Sequence, residues 1–187
     1  LLCLLRKINY LVYKKKPTSI PKIKKYKMIK PVYQPILKKQ IAEVSVGKKS
    51  IARVIAGDCN GTKGPASTKT PLNMWDISIS EDDGKVDLKI PKSHNAILFV
   101  REGGVNMFET KDGEPRKLQQ SQVLLLPPGI GDTIRVSARD GDSKILLLSG
   151  EPIDEPIAHQ GPFVMNTREE IGQAWDDFYS GRLGKNF

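Results

Sequence analysis

From about residue 40 onward the chain alternates apolar and polar positions in short runs. Trp75-Asp76-Ile77-Ser78-Ile79-Ser80 and Val86-Asp87-Leu88-Lys89-Ile90 put every second side chain on one face, which is the period of a half-buried strand. Runs of this kind, or rich in β-branched residues, fall at 41–46, 51–56, 72–79, 86–90, 96–101, 105–108, 123–126, 133–137 and 144–148, and each predicts a strand. Turn formers stand between them: Asp58-Cys59-Asn60-Gly61, Asp82-Asp83-Gly84, Gly103-Gly104, Lys111-Asp112-Gly113 and Asp140-Gly141-Asp142. Many short strands with nothing of helical period between them predict an all-β sandwich or small antiparallel barrel and disfavour a parallel α/β sheet.

The end of the chain changes period. Asn166-Thr167-Arg168-Glu169 has the form of a capping box, with Asn166 as the expected cap and Glu169 reaching back. Ile171, Ala174, Trp175 and Phe178 then recur at helical spacing, and Gly181 is a stop signal. One amphipathic helix is predicted over 167–179.

Charge changes the picture once it is mapped. The chain of 187 residues carries a formal +9, but residues 1–50 hold 14 Lys and Arg against one acid, Glu43. The remaining residues hold 16 basic against 20 acidic side chains. The basicity belongs to an N-terminal arm, predicted as disordered over 1–28, and not to a fold surface. Nucleic-acid binding is therefore expected only weakly, through residues 1–27. The sequence opens on Leu1 and its first methionine is Met28. The chain is accordingly expected to be incomplete, or its opening to be untranslated sequence. No run is long enough to span a membrane. Cys3 and Cys59 cannot build a disulfide framework or a zinc site, and no signal peptide with a cleavage site is visible. A reducing intracellular compartment, nucleus or cytoplasm, is the expectation.

The most distinctive string is Gly150-Glu151-Pro152-Ile153-Asp154-Glu155-Pro156-Ile157, followed by Gly161-Pro162-Phe163-Val164-Met165-Asn166-Thr167-Arg168-Glu169-Glu170-Ile171. It resembles the C-terminal signature of the pirin family of two-cupin proteins. Pro31-Val32-Tyr33-Gln34 resembles that family's interdomain linker, which sets a linker at 29–40 and a cupin domain at 41–187. Ala52 to Gly57, Thr70-Pro71, Trp75-Asp76-Ile77 and Phe99 to Gly103 fit the strands of its second cupin. The resemblance implies an all-β cupin barrel with one C-terminal helix. It also implies that iron sits in the first cupin of the family, held by an H-x-H motif, a later His and a Glu. Only an unrelated basic segment precedes residue 29 here.

The second cupin can be checked for a metal site of its own. Counting back from Phe99-Val100-Arg101-Glu102-Gly103, a cupin's carboxylate position falls on Ala96. Its two histidine positions fall near Ile90 and Lys92, or one residue earlier. The later histidine position, after Pro127-Pro128-Gly129, falls on Asp132. A first-row transition metal needs imidazole or thiolate donors in number. No metal, cofactor or catalytic residue is expected in this chain.

Other candidates give way to simpler explanations. His94 lies in the turn Pro91-Lys92-Ser93-His94-Asn95 and is either a lone ligand or an exposed turn histidine; the lack of partners in sequence favours the latter. His159 is either a polar contact between domains or a surface loop residue. Gly57 to Gly64 lacks the G-K-[ST] ending of a phosphate loop and predicts a tight turn. Glu81-Asp82-Asp83 lacks calcium-loop spacing, and Cys59 has no setting that lowers a thiol pKa.

The apolar stripe of the helix remains. In pirins the second cupin packs on the first, so Phe163, Met165, Trp175 and Phe178 form a candidate interaction surface for a protein partner or a second copy. The function implied is a metal-free cupin acting as a structural or protein-interaction module, with the family's nuclear transcription co-regulation inherited by resemblance. The alternative is the back half of a metal-dependent quercetin 2,3-dioxygenase whose catalytic cupin lies outside this chain. On either account enzyme activity of this chain by itself is not expected.

Overall fold

The computed structural model describes residues 32–108, 114–129 and 131–182. The predicted basic arm, Cys3 and the first residues of the predicted linker lie outside the described residues. What is described falls into two compact units, 32–152 and 153–182.

The larger unit is an antiparallel β barrel, the cupin fold that the sequence predicts. Its strands are β1 (Ala42–Ser45), β2 (Ile51–Ala56), β3 (Asp58–Cys59), β4 (Thr62–Lys63), β5 (Leu72–Ile79), β6 (Val86–Lys89), β7 (Asn95–Phe108), β8 (Arg116–Gln119), β9 (Val123–Leu126) and β10 (Thr133–Gly150). The main sheet runs β1-β2-β5-β10-β7-β8, with β6 on β10 and β9 on β7. Two long strands serve both halves. The start of β7 pairs with β9 and its end with β8, while β10 pairs first with β6 and then with β5.

Each of those long strands was expected as two. The Gly103-Gly104 and Asp140-Gly141-Asp142 signals mark bends inside continuous strands, and the β7–β10 ladder slips register between Arg139 and Ile145. Gly103 takes φ +70°, and a Cβ there would stand 2.8 Å from the Asp142 carbonyl oxygen. The Ser143 hydroxyl donates to the Gly104 carbonyl across the same bend, at 2.5 Å.

Alternation explains the core. Ala52 and Val54 of β2, Trp75, Ile77 and Ile79 of β5, Leu98 and Val100 of β7, and Ile145 and Leu147 of β10 all point inward and are buried. Each large apolar side chain removed from water contributes about 1.5–3 kcal/mol before entropy is charged against it. At the β3–β4 hairpin Asn60 and Gly61 both take positive φ, as a two-residue hairpin turn requires.

The smaller unit is a hairpin and a helix. β11 (Ala158–Gln160) pairs with β12 (Phe163–Met165), and α1 spans Arg168–Tyr179. The helix cap sits one residue later than expected. Thr167 is the cap, its hydroxyl oxygen accepting from the Glu170 N–H at 3.2 Å, and the Glu170 carboxylate accepts from the Asn166 N–H at 2.9 Å. Asn166 is occupied elsewhere: its side-chain amide donates to Glu155 at 2.9 Å and to the Pro156 carbonyl at 2.8 Å. At the far end Gly181 N–H bonds the Phe178 carbonyl and Arg182 N–H bonds the Asp177 carbonyl, closing a Schellman motif.

Candidate functional site

Helix α1 and strand β12 assemble an aromatic cluster. The Phe163 ring meets Trp175 edge-on with centroids 4.9 Å apart, and Phe178 stands 6.0 Å from both. Edge-on pairs of this kind add about 0.5–1.5 kcal/mol beyond their buried area. Tyr179 stacks on Trp175 at 5.4 Å, a partner the sequence analysis missed although it sits four residues on. Met165 is half-buried, two residues beyond Phe163 on β12 and paired with Ala158. Phe178 is 54% exposed and Tyr179 is 78% exposed, while Ile171 and Ala174, earlier on the helix, are buried. The indole N–H of Trp175 is buried and finds no hydrogen-bond partner among the described residues.

A second cluster lies at one end of the barrel. His94 is not an exposed turn histidine; it is 5% exposed. The turn closes with a His94 N–H bond to the Pro91 carbonyl, and β7 begins at the next residue. The His94 Nδ1 stands 3.1 Å from the Ser149 hydroxyl, to which the Asn73 side-chain amide donates at 3.1 Å. Asn73 in turn accepts from the Asp58 N–H at 3.2 Å. Burial lowers the His94 pKa, partly opposed by the Glu151 carboxylate. Neither Asn73 nor Ser149 carries a sequence signal, each standing at an end of a strand-forming run.

The counted metal positions do not make a metal site. Ile90 and Ala96 belong to the apolar core, and Lys92 and Asp132 are exposed. The Asp132 carboxylate accepts from the Thr133 hydroxyl at 2.9 Å, and its carbonyl accepts from the Ile90 N–H at 2.8 Å. Two hydrocarbon side chains, an ammonium and one carboxylate do not fit a transition metal. Among the described residues no group of three His, Cys, Asp or Glu side chains is placed to hold one.

The remaining candidates are structural. Cys59 is buried, and burial, helped by Asp58, pushes its thiol up to about 11, far from a reactive thiolate. Asp83 accepts from the backbone N–H groups of Lys49 and Ser50, tying a 3₁₀ turn to the start of β2. His159 lies exposed on β11, opposite Val164. No helix among the described residues is long and apolar enough to cross a membrane.

Residues 74–184 match the pirin C-terminal cupin domain family. A pirin-like protein of Arabidopsis thaliana is 36% identical over 165 residues, covering 84% of this chain and 51% of that protein. Pirin of Homo sapiens is 33% identical over 159 residues, covering 84% of this chain and 53% of that protein. A crystal structure of a quercetin 2,3-dioxygenase from Acinetobacter baumannii superposes with a TM-score of 0.73 at 35% identity, covering 86% of this chain and 54% of that one. The chain spans about half the length of the curated relatives it matches.

Proposed function

We propose that this chain, which belongs to the pirin family and carries its C-terminal cupin domain, acts as a metal-free interaction module that docks against a second barrel of the same fold. The supporting observation is the aromatic cluster of the 153–182 unit. A hairpin of two three-residue strands and a 12-residue helix form too small a body to bury such a cluster alone. Phe178 and Tyr179 accordingly stand more than half exposed at its end. Phe163, Trp175 and Phe178 are the anchors, and Met165 and Tyr179 border them.

The full chain tests this. Sedimentation at micromolar concentration is expected to show a dimer, and Phe178→Ala with Trp175→Ala to shift its dissociation constant by at least about tenfold, near 1.4 kcal/mol. A monomer at every concentration, or a dimer indifferent to both substitutions, overturns the second copy as the docked barrel. Metal analysis after incubation with ferrous iron is expected to find far less than one equivalent retained.

The similarity to the Acinetobacter baumannii enzyme favours one further reading, in which the chain is the back half of a quercetin 2,3-dioxygenase whose metal is held by another cupin. Flavonol cleavage by the full-length polypeptide, unaffected by substitution of His94, would support it. A transcriptional role in the nucleus rests on the family resemblance, and imaging of the tagged protein in its own cells tests it.

A further inference from the structure

Among the described residues, β1, β6, β8 and β9 each pair with a single neighbour in the main sheet. Each therefore keeps one row of backbone N–H and C=O groups that no strand pairs. Such an edge is a template for another strand, and proteins guard it with charge, proline or a bulge. Three of the four are guarded by exposed charge: β1 by Glu43, β6 by Asp87 and Lys89, β8 by Arg116 and Lys117. β9 reads Val123-Leu124-Leu125-Leu126, with no charge, and Pro127 stands only past its end.

The ladder fixes which backbone groups of β9 face outward from the sheet edge. The Val100 N–H donates to the Gln122 carbonyl at 3.0 Å, and the register continues through Leu98 opposite Leu124 and Ala96 opposite Leu126. In an antiparallel ladder, pairs that exchange both bonds alternate with pairs that exchange none. Leu124 and Leu126 therefore spend their backbone groups on β7, and Val123 and Leu125 turn theirs to the free edge. The side chains of Val123 and Leu125 lie on the outer face, 54% and 39% exposed, while Leu124 belongs to the core. Two apolar rows of that face end at this edge, Leu146–Phe99–Val123 and Leu148–Ile97–Leu125.

We infer that β9 is the seam at which a second copy of this chain joins, strand to strand and antiparallel, about a two-fold axis through Leu124. In that register Val123 lies opposite Leu125 of the second copy, and Leu125 opposite its Val123. Each pair exchanges two backbone hydrogen bonds, so all four edge groups on each copy are used. The neighbouring registers do worse. An axis at Val123 sets Leu125 against Ser121, whose N–H already bonds the Val100 carbonyl at 2.8 Å. An axis at Leu125 sets Val123 against Pro127, which has no N–H to give. The side chains agree with the backbone. The row Leu146–Phe99–Val123 runs on into Leu125–Ile97–Leu148 of the second copy, so hydrocarbon meets hydrocarbon across an isologous contact. The seam rests on the docking proposed above only for the identity of the partner, a second barrel of the same fold, and it uses none of the aromatic residues. Four residues a side bury less than the ~1,200 Å² of a standard interface, so the pairing is weak and concentration-dependent.

Amide hydrogen exchange on the full chain, read residue by residue at about 5 μM and about 500 μM, tests the seam. The Val123 and Leu125 amides should slow by at least about threefold at the higher concentration. Leu124 and Leu126, held by β7 in either state, should not change. Leu125→Pro removes an N–H that only the seam uses, and proline is tolerated on the open side of an edge strand. It should abolish the slowing at Val123. If Leu125→Pro does not fold, Val123→Lys decides: it leaves the backbone intact, places a guarding charge on the edge, and should weaken the pairing by about tenfold or more. Fast exchange at Val123 and Leu125 at the higher concentration overturns the inference. Equal slowing of all four β9 amides overturns it as well, and leaves the aromatic docking standing. Slowing confined to Val123 and Leu125 that persists in the Trp175→Ala, Phe178→Ala variant supports the seam and counts against the aromatic docking.

Discussion

Gly161 makes room for Trp175: a Cβ on Gly161 would lie 3.2 Å from the indole Cζ2, and the residue takes φ +55°. The β11–β12 turn and the aromatic cluster are therefore one packing problem. Gly161→Ala meets both a left-handed backbone penalty of about 1–2 kcal/mol and a contact tighter than van der Waals separation. Amide exchange in β11, β12 and α1 should accelerate by about 5- to 30-fold, the equivalent of that penalty. Exchange in β5 and β10 should not change. Unaltered exchange in α1 would show that the turn and the cluster are independent.

The buried imidazole of His94 sets a pH dependence of stability. Its folded pKa lies below the ordinary value of 6.5, with burial the larger cause and Glu151 opposing it. The unfolded chain therefore binds more protons between those two values, and stability rises with pH through that window. The contribution is complete above about pH 6.5 and is lost as pH falls toward the folded value. Urea unfolding at pH 7.5 and at pH 5.5 should show a lower midpoint at the acidic value. His94→Gln, which has no proton to gain, should shrink the difference. A midpoint that rises on acidification would contradict the burial of this ring.

Thr167, not Asn166, starts the helix, and the two side chains fail differently when removed. Thr167→Ala deletes the oxygen that accepts the Glu170 N–H and should cost about 0.5–2 kcal/mol. The loss should appear as fraying confined to the first turn of α1. Asn166→Ala instead cuts the ties to Glu155 and Pro156. It should loosen 155–157 while α1 keeps its cap. Backbone chemical shifts separate the two outcomes, and identical fraying in both variants would return the cap to Asn166.

The strands of the barrel were legible because alternation in runs such as 72–79 and 86–90 has only one structural solution when one face is buried. Their continuity was not. Gly103-Gly104 and Asp140-Gly141-Asp142 carry the chemistry of turns, and a bulged bend within a strand needs the same positive-φ residues. β8 escaped notice because Leu118 is its single apolar residue. The helix start was ambiguous by one position, since Asn166-x-x-Glu169 and Thr167-x-x-Glu170 both fit a capping box, and tertiary bonds to Asn166 decide between them. Of the sites, Phe163 stood in the signature string that precedes the helix, and the helical stripe announced Trp175 and Phe178 through spacing. The barrel-end cluster did not, because Asn73, His94 and Ser149 are 76 residues apart from first to last and meet only through strand register.

The bend in β7 and β10 offers a test of which strained glycine the barrel depends on. Gly103 and Gly141 both take positive φ, at +70° and +107°. A Cβ at Gly141 would meet nothing within 4 Å, whereas one at Gly103 would press on the Asp142 carbonyl and the Ser143 hydroxyl, each at 2.8 Å. The Ser143 hydroxyl cannot withdraw freely, because it holds the Gly104 carbonyl. Gly141→Ala should therefore cost only its backbone strain, about 1–2 kcal/mol. Gly103→Ala adds displacement of buried backbone and should cost at least about 1 kcal/mol more, in the range of small-to-large changes in a packed interior. Thermal unfolding of the two variants should rank Gly103→Ala clearly below Gly141→Ala. Equal midpoints would mean that the bend relaxes around a methyl group, and that the register slip between Arg139 and Ile145 is set by the Asp140–Asp142 side alone.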